Sequence, residues 1–167
     1  GTFLRVTNTV ANNPPLAGST TQFPQVAYDN HDASLNDDAS YIAFASNRDL
    51  VPTVGNAFPA EDNDEVFTFI RATSVVTQVT KTPRGTISSP TKNRNPTISR
   101  LSSGNIRVVF ESNADNPIHL MTGGTNTDRN AEVFYADLDM NGVLTATKKQ
   151  VTSTVRTNPG DVVNVLN

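Results

Sequence analysis

The chain has 167 residues, enough for one domain with its own core, yet only 36% are hydrophobic, 7% aromatic and 17% charged. A net charge of −3, with the 13 Lys and Arg scattered singly, gives no basic footprint for nucleic acid, and no apolar run approaches the ~18 residues of a membrane helix. The absence of Cys excludes disulfides, thiolate nucleophiles and Cys-based zinc sites together.

Taken from the amino terminus, the chain opens at Gly1 without a charged and then apolar leader, so no signal peptide is expected within these residues. There is no N-x-[ST] glycosylation sequon. The first strand-like stretch is "RVTNT" (5–9), followed by "PQVAYD" (24–29) and "ASLN" (33–36), which compete for the same role. "SYIAFAS" alternates polar and apolar residues, the period-2 pattern of a half-buried strand, and ends in the frame F-x-S-N-x-D, Phe44 to Asp49. A long connection leads to "NDEVF" (63–67), a β-branched and aromatic strand, and then to the Thr- and Val-rich "QVTKT" (78–82).

The same order then returns. "PTIS" (96–99) precedes "IRVVFES", whose Phe110 to Asp115 repeats F-x-S-N-x-D 66 positions after Phe44. "NAEVF" (130–134) follows, with Asn130 20 positions after Phe110 where Asn63 lies 19 after Phe44. "QVTST" (150–154) closes the unit 72 positions after "QVTKT", which itself lies 73 after "RVTNT". Ordered agreement of three motifs marks an internal repeat. Turn signals separate the strands, and Asn141-Gly142 predicts a type I′ hairpin because both residues tolerate positive φ. No stretch offers an amphipathic helix of about three turns.

The expected fold is all-β, with each unit a four-stranded antiparallel sheet. Such units in tandem suggest β-propeller blades, incomplete here or part of a larger propeller, because one sheet cannot bury both faces alone. Residues 1–9 are expected to be the last strand of a preceding blade, 24–82 one blade, 95–154 the next, and 158–167 ("DVVNVLN" above all) the first strand of another. Each Phe left wet would forfeit roughly 1.5–3 kcal/mol, so either further blades in a longer chain or other copies should cover the open faces.

Phe44, Ser46, Asn47 and Asp49 with Asn63, Glu65, Val66 and Phe67, and again Phe110, Ser112, Asn113 and Asp115 with Asn130, Glu132, Val133 and Phe134, make a pattern that resembles the TolB-like β-propeller repeat. The resemblance covers most of residues 31–154. It departs in the turn, which is Asp38-Ala39 and Gly104-Asn105 where the family has Asp-Gly, and in the long connections after the F-x-S strands. The resemblance implies a bacterial protein of the periplasm, cell surface or secreted space that makes protein–protein contacts. It also allows a propeller accompanying a hydrolase, or a structural subunit of a surface assembly. Residues 47–62 and 113–129 are the expected contact loops, since loops on a rigid scaffold carry recognition.

Candidate site residues are few. Because Asn63/Glu65 and Asn130/Glu132 recur in both units, they read as structural groups rather than as catalysts. "AEDNDE" offers Glu61, Asp62 and Asp64 as oxygen ligands for Ca²⁺, and "DLDMNG" offers Asp137, Asp139 and Asn141 in the opening frame of a calcium loop. The twelfth position counted from Asp137 is Lys148, not the bidentate Glu of an EF-hand, so a solvated loop and a tight turn are the simpler readings. His31 beside Asp29 and Asp32 is a third metal candidate, and His119 in "NPIHLM" reads as a packed loop residue. No nucleophile elbow, H-E-x-x-H or P-loop is present, so no catalytic residue is assigned.

Overall fold

The computed structural model describes residues 3–9, 29–57, 61–86 and 89–155. Among these residues the fold is all-β. Strands β1 (Asn30–Leu35), β2 (Tyr41–Ser46), β3 (Glu65–Ile70) and β4 (Val75–Gln78) form one antiparallel sheet in chain order. A two-residue ladder of β5 (Gly85–Thr86) with β6 (Ser89–Pro90) leads to the second sheet. That sheet consists of β7 (Asn93–Arg100), β8 (Ile106–Ser112), β9 (Glu132–Leu138) and β10 (Leu144–Gln150), again in chain order, and neither sheet closes on itself. "PQVAYD" (apart from Asp29) and "DVVNVLN" lie outside the described residues, and residues 3–9 carry no strand.

The repeat is reproduced in register. Phe44 pairs with Phe67 and Phe110 with Phe134 in adjacent strands, and each pair stacks with ring centroids 5.7 and 6.0 Å apart. Both first strands begin earlier than expected, at Asn30 rather than Ala33 and at Asn93 rather than Pro96. The cause is a bulge after the first pair of residues, where Asp32 (φ +54°) and Asn95 (φ +52°) adopt the left-handed conformation and shift the register. Asp and Asn tolerate that region better than other side chains, so N-x-[DN] at a strand start marks the bulge.

The half-buried strand expected at β2 is buried on both faces. One face of the first sheet (Tyr41, Ala43, Val66, Ile70) packs against Ile98, Ile106, Val108, Phe110, Phe134, Ala136 and Leu138 of the second sheet. The opposite face, Phe44, Phe67 and Phe69, is covered by Val6, Leu50 and Val51. The second sheet keeps the alternation, with Ile106, Val108 and Phe110 inward and Arg107, Val109 and Glu111 half-buried.

The expected type I′ hairpin is also corrected. Gly142 alone is left-handed (φ +85°), its amide donates to Asp139 O, and Asp139 N donates to Val143 O. These bonds define a type I turn followed by a left-handed glycine. A Cβ on Gly142 would lie 2.9 Å from Ile70 Cδ1, so the turn is pressed against the first sheet. Thr77 Oγ1 holds it there by donating to Gly142 O at 2.7 Å.

Candidate functional site

The most concentrated chemistry lies where the two sheets meet, around Glu65. The connection from β2 brings Asp62 in at φ +78°, sets Asn63 beside the strand and starts β3 at Glu65, which is 1% exposed. The closing segment "QVTKT" runs past β4, and its Thr80 hydroxyl accepts the Val66 amide at 2.7 Å. Glu65 Oε1 accepts from Asn63 Nδ2 (3.0 Å), Thr82 N (2.7 Å) and Thr82 Oγ1 (2.8 Å). From the second sheet, Asn93 Nδ2 donates to Glu65 Oε2 at 3.1 Å and to Asp64 O at 2.8 Å. Thr82 Oγ1 also accepts from Asn63 Nδ2 and Asn93 Nδ2, so this hydroxyl donates once and accepts twice, its full capacity. Burial pushes the Glu65 carboxyl up to about 7, against the opposing pull of the Thr80, Thr82 and Asn63 bonds.

The second unit repeats half of this arrangement. Glu132 takes the Thr154 amide and the hydroxyls of Thr152 and Thr154, Thr152 Oγ1 accepts Val133 N at 2.9 Å, and Asn130 Nδ2 donates to Thr154 O at 3.0 Å. The recurrence of Asn, Glu and two Thr explains why N-x-E-V-F and V-T-x-T travel together in the sequence. The carboxylate stitches the strand start to the closing segment, which is a structural task needed in every unit.

Asn93 and its counterpart Asn30 are the site residues that sequence reasoning missed. A signal for them existed in "NHDASL" and "NRNPTI", which share N-x-[DN]-x-[ST]-[LI] 63 positions apart. The closing segment ties to the next unit elsewhere too. Lys81 N donates to Pro117 O at 2.8 Å, and His119 N donates to Val79 O at 2.9 Å. His119 is therefore placed by its backbone, and burial, with the charges of Lys148 and Lys81, lowers its pKa.

The acidic residues singled out as oxygen ligands each meet a partner. Glu61 pairs with Lys81, Asp62 with Arg84 Nε at 3.1 Å and Asp64 with His31 Nε2 at 3.5 Å. His31 Nδ1 faces Asp32 at 3.1 Å, and Asp32 in turn accepts the Asn95 amide of the second sheet at 3.1 Å. Burial disfavours the His31 cation, but the charges and hydrogen bonds of Asp64 and Asp32 prevail and raise its pKa. Asp29 meets Asn47 through its backbone, its amide donating to Asn47 Oδ1.

In "DLDMNG", Asp137 forms a bidentate pair with Arg107 (2.7 and 2.9 Å), whose guanidinium lies 4.1 Å from the Tyr135 ring centroid. Asp139 Oδ1 accepts the Val143 and Asn141 amides, which hold its carboxyl below the ordinary range. Asp139 and Asn141 thus build the hairpin turn, while Asp137 belongs to β9. A calcium ion at either segment would have to displace these partners. Among the described residues no group of three or more His, Asp or Glu side chains is arranged to hold a metal ion.

Among the described residues no helix is long and apolar enough to cross a membrane. Comparison with models of protein families, with curated proteins and with solved structures finds no match to this chain.

Proposed function

We propose that the two sheets are TolB-like propeller blades and that the chain acts outside the bacterial cytoplasm as a non-catalytic protein-interaction or scaffold module. The strand order, the shared register and the face-to-face stacking of the sheets support the blade reading. One observation supports the interaction reading above the others. Leu120, in the loop after β8, is 78% exposed and left-handed at φ +60°. A γ-branched apolar residue in that conformation costs on the order of 1 kcal/mol and gains no burial within the chain. Its neighbours are fixed, since His119 N is bonded to Val79 O and Met121 N to Ile118 O. The backbone on either side of this exposed side chain is therefore fixed, and a protein partner covering it would provide the missing burial.

The test is a photo-cross-linking residue at Thr122, which is exposed two positions away, introduced into the protein in its native host. A discrete protein adduct that disappears with Leu120→Asp is the expected result. Absence of any protein adduct, or hydrolytic turnover that depends on residues of this chain, would overturn the proposal.

A further inference from the structure

The connection from β8 to β9 departs from its counterpart in the first unit at three related positions. Between β2 and β3, Asp49 Oδ1 accepts the Asn56 amide at 3.1 Å, Asn56 Oδ1 accepts the Asp62 amide at 3.0 Å, and Asp62 pairs with Arg84. Asp115, Asn126 and Arg129 are the corresponding residues. Asn126 Nδ2 donates to Asn130 O at 2.8 Å as Asn56 Nδ2 does to Asn63 O, and Arg129 (φ +61°) is left-handed as Asp62 is. In the second unit these groups stay open. Asp115 Oδ1 and Asn126 Oδ1 are shut off from solvent and accept no hydrogen bond among the described residues, and an arginine stands in the place of an acid. All three residues line a cleft of about 470 Å³, together with Thr82 of the first unit and Thr91 ahead of β7. Arg129 Nη2 donates to Thr91 Oγ1 at 2.9 Å and to Ser89 O at 3.3 Å, while its Nη1 bonds to none of the described residues. Asp115 Oδ2 accepts only from Asn116 Nδ2, at 3.0 Å. Among the described residues neither Arg129 nor Asp115 is paired with an opposite charge. The acidic wall is also fixed, since Asn116 Oδ1 accepts Gly124 N at 2.8 Å and a Cβ on Gly124 would lie 2.0 Å from Asp115 O.

We propose that this cleft binds a small zwitterion of amino-acid or dipeptide size, its carboxylate on Arg129 and its ammonium on Asp115. A guanidinium offers only donors and a carboxylate only acceptors, so each wall calls for the opposite chemistry. The two open N–H groups of Arg129 Nη1 suit a carboxylate, and Asp115 Oδ2 keeps capacity for an ammonium donor. An anion alone would bring a second negative charge to Asp115, and a cation alone would meet Arg129. A molecule that carries both charges answers both walls at once. The size agrees, since the volume lies within the range of about 300–1,000 Å³ of small-molecule pockets. Thr127, exposed in the same lining, places a hydroxyl within the cleft for the polar middle of the ligand. The first unit offers no equivalent, because Asp49, Asn56 and Asp62 are bonded within the chain. The site goes beyond the contact proposed at Leu120 and does not depend on it.

The test is calorimetric titration of the 167-residue chain with alanine and with alanyl-alanine, and then with the dipeptide acetylated at its amine or amidated at its carboxylate. At least one free zwitterion is expected to bind, and blocking either end of the dipeptide should weaken its binding at least ~10-fold. Arg129→Gln should make binding indifferent to amidation, and Asp115→Asn should make it indifferent to acetylation. The free and blocked peptides are compared on one and the same chain, so a variant that fails to fold leaves that comparison standing. No binding of either probe up to about 10 mM, or equal binding of the free and blocked dipeptides, would overturn the proposal. A loss from blocking one end only would overturn the zwitterion. Losses that persist unchanged in both folded variants would overturn the cleft as the site.

Discussion

Asn93, the first residue of the second sheet, donates its side-chain amide to Glu65 Oε2 of the first sheet at 3.1 Å, and both side chains are withdrawn from solvent. A hydrogen bond contributes about 0.5–1.5 kcal/mol net, but removing one partner of a buried pair leaves the other desolvated at a cost of about 1–3 kcal/mol. Asn93→Ala should therefore destabilise the chain by about 2–3 kcal/mol and lower its thermal midpoint by roughly 4–12 °C. Asn113→Ala serves as the comparison, since Asn113 bonds Lys92 N and Pro90 O at an exposed site. A loss at Asn93 no larger than at Asn113 would remove the buried contact as a source of stability.

The pH dependence follows from the same carboxyl. Burial raises Glu65 from 4.5 to about 7, so the folded state holds its proton more tightly than the unfolded chain does. The contribution is fully present below about pH 4.5 and is lost as the pH climbs to about 7, a change on the order of 3 kcal/mol. His31, raised by Asp64 and Asp32, acts in the same direction, losing its share as the pH rises through its folded value. Urea midpoints measured from pH 4.5 to 8 should fall with pH, and Glu65→Gln should flatten most of that slope while His31→Gln flattens less. An unchanged slope in Glu65→Gln would assign the dependence to other groups.

Two hairpin turns share one geometry, and a third, one residue longer because it closes with Asn36 N donating to Tyr41 O, carries an alanine at the left-handed position. Gly104 (φ +91°) and Gly142 (φ +85°) end their turns left-handed, whereas Ala39 occupies that place at φ +53°. An alanine there costs about 1–2 kcal/mol relative to the right-handed region, and glycine relieves it at some cost in unfolded-state entropy. Ala39→Gly should stabilise the protein by about 0.5–1 kcal/mol, read as a higher urea midpoint at constant slope.

Gly142→Ala should cost more than Gly104→Ala. A Cβ at 142 meets Ile70 Cδ1 at 2.9 Å and Thr77 Oγ1 at 3.2 Å, while nothing lies within 4 Å of one at 104. Equal losses in the two variants would mean that the turn does not bear on the first sheet.

The sequence alone determined what depends on neighbours along the chain. Period-2 alternation, β-branched runs and Gly- or Asp-bearing turns are local, so the all-β class, the repeat and the inward Phe44 and Phe110 are legible in the residue pattern itself. The recurrence of Asn63/Glu65 and Asn130/Glu132 also points to a structural role, which the hydrogen bonds of Glu65 and Glu132 specify. What only the tertiary structure decided depends on groups brought together across the sheet interface. Asn93 reaches Glu65 across 28 positions, and Asn95 reaches Asp32 across 63. The same holds for the acidic run, where Lys81, Arg84 and His31 each take one carboxylate. It holds also for β2, which alternates like a half-buried strand yet is covered on both faces. Residue pattern fixes which side of a strand is apolar, but which surface covers that side, and which polar atom meets a buried charge, is set by how the sheets pack.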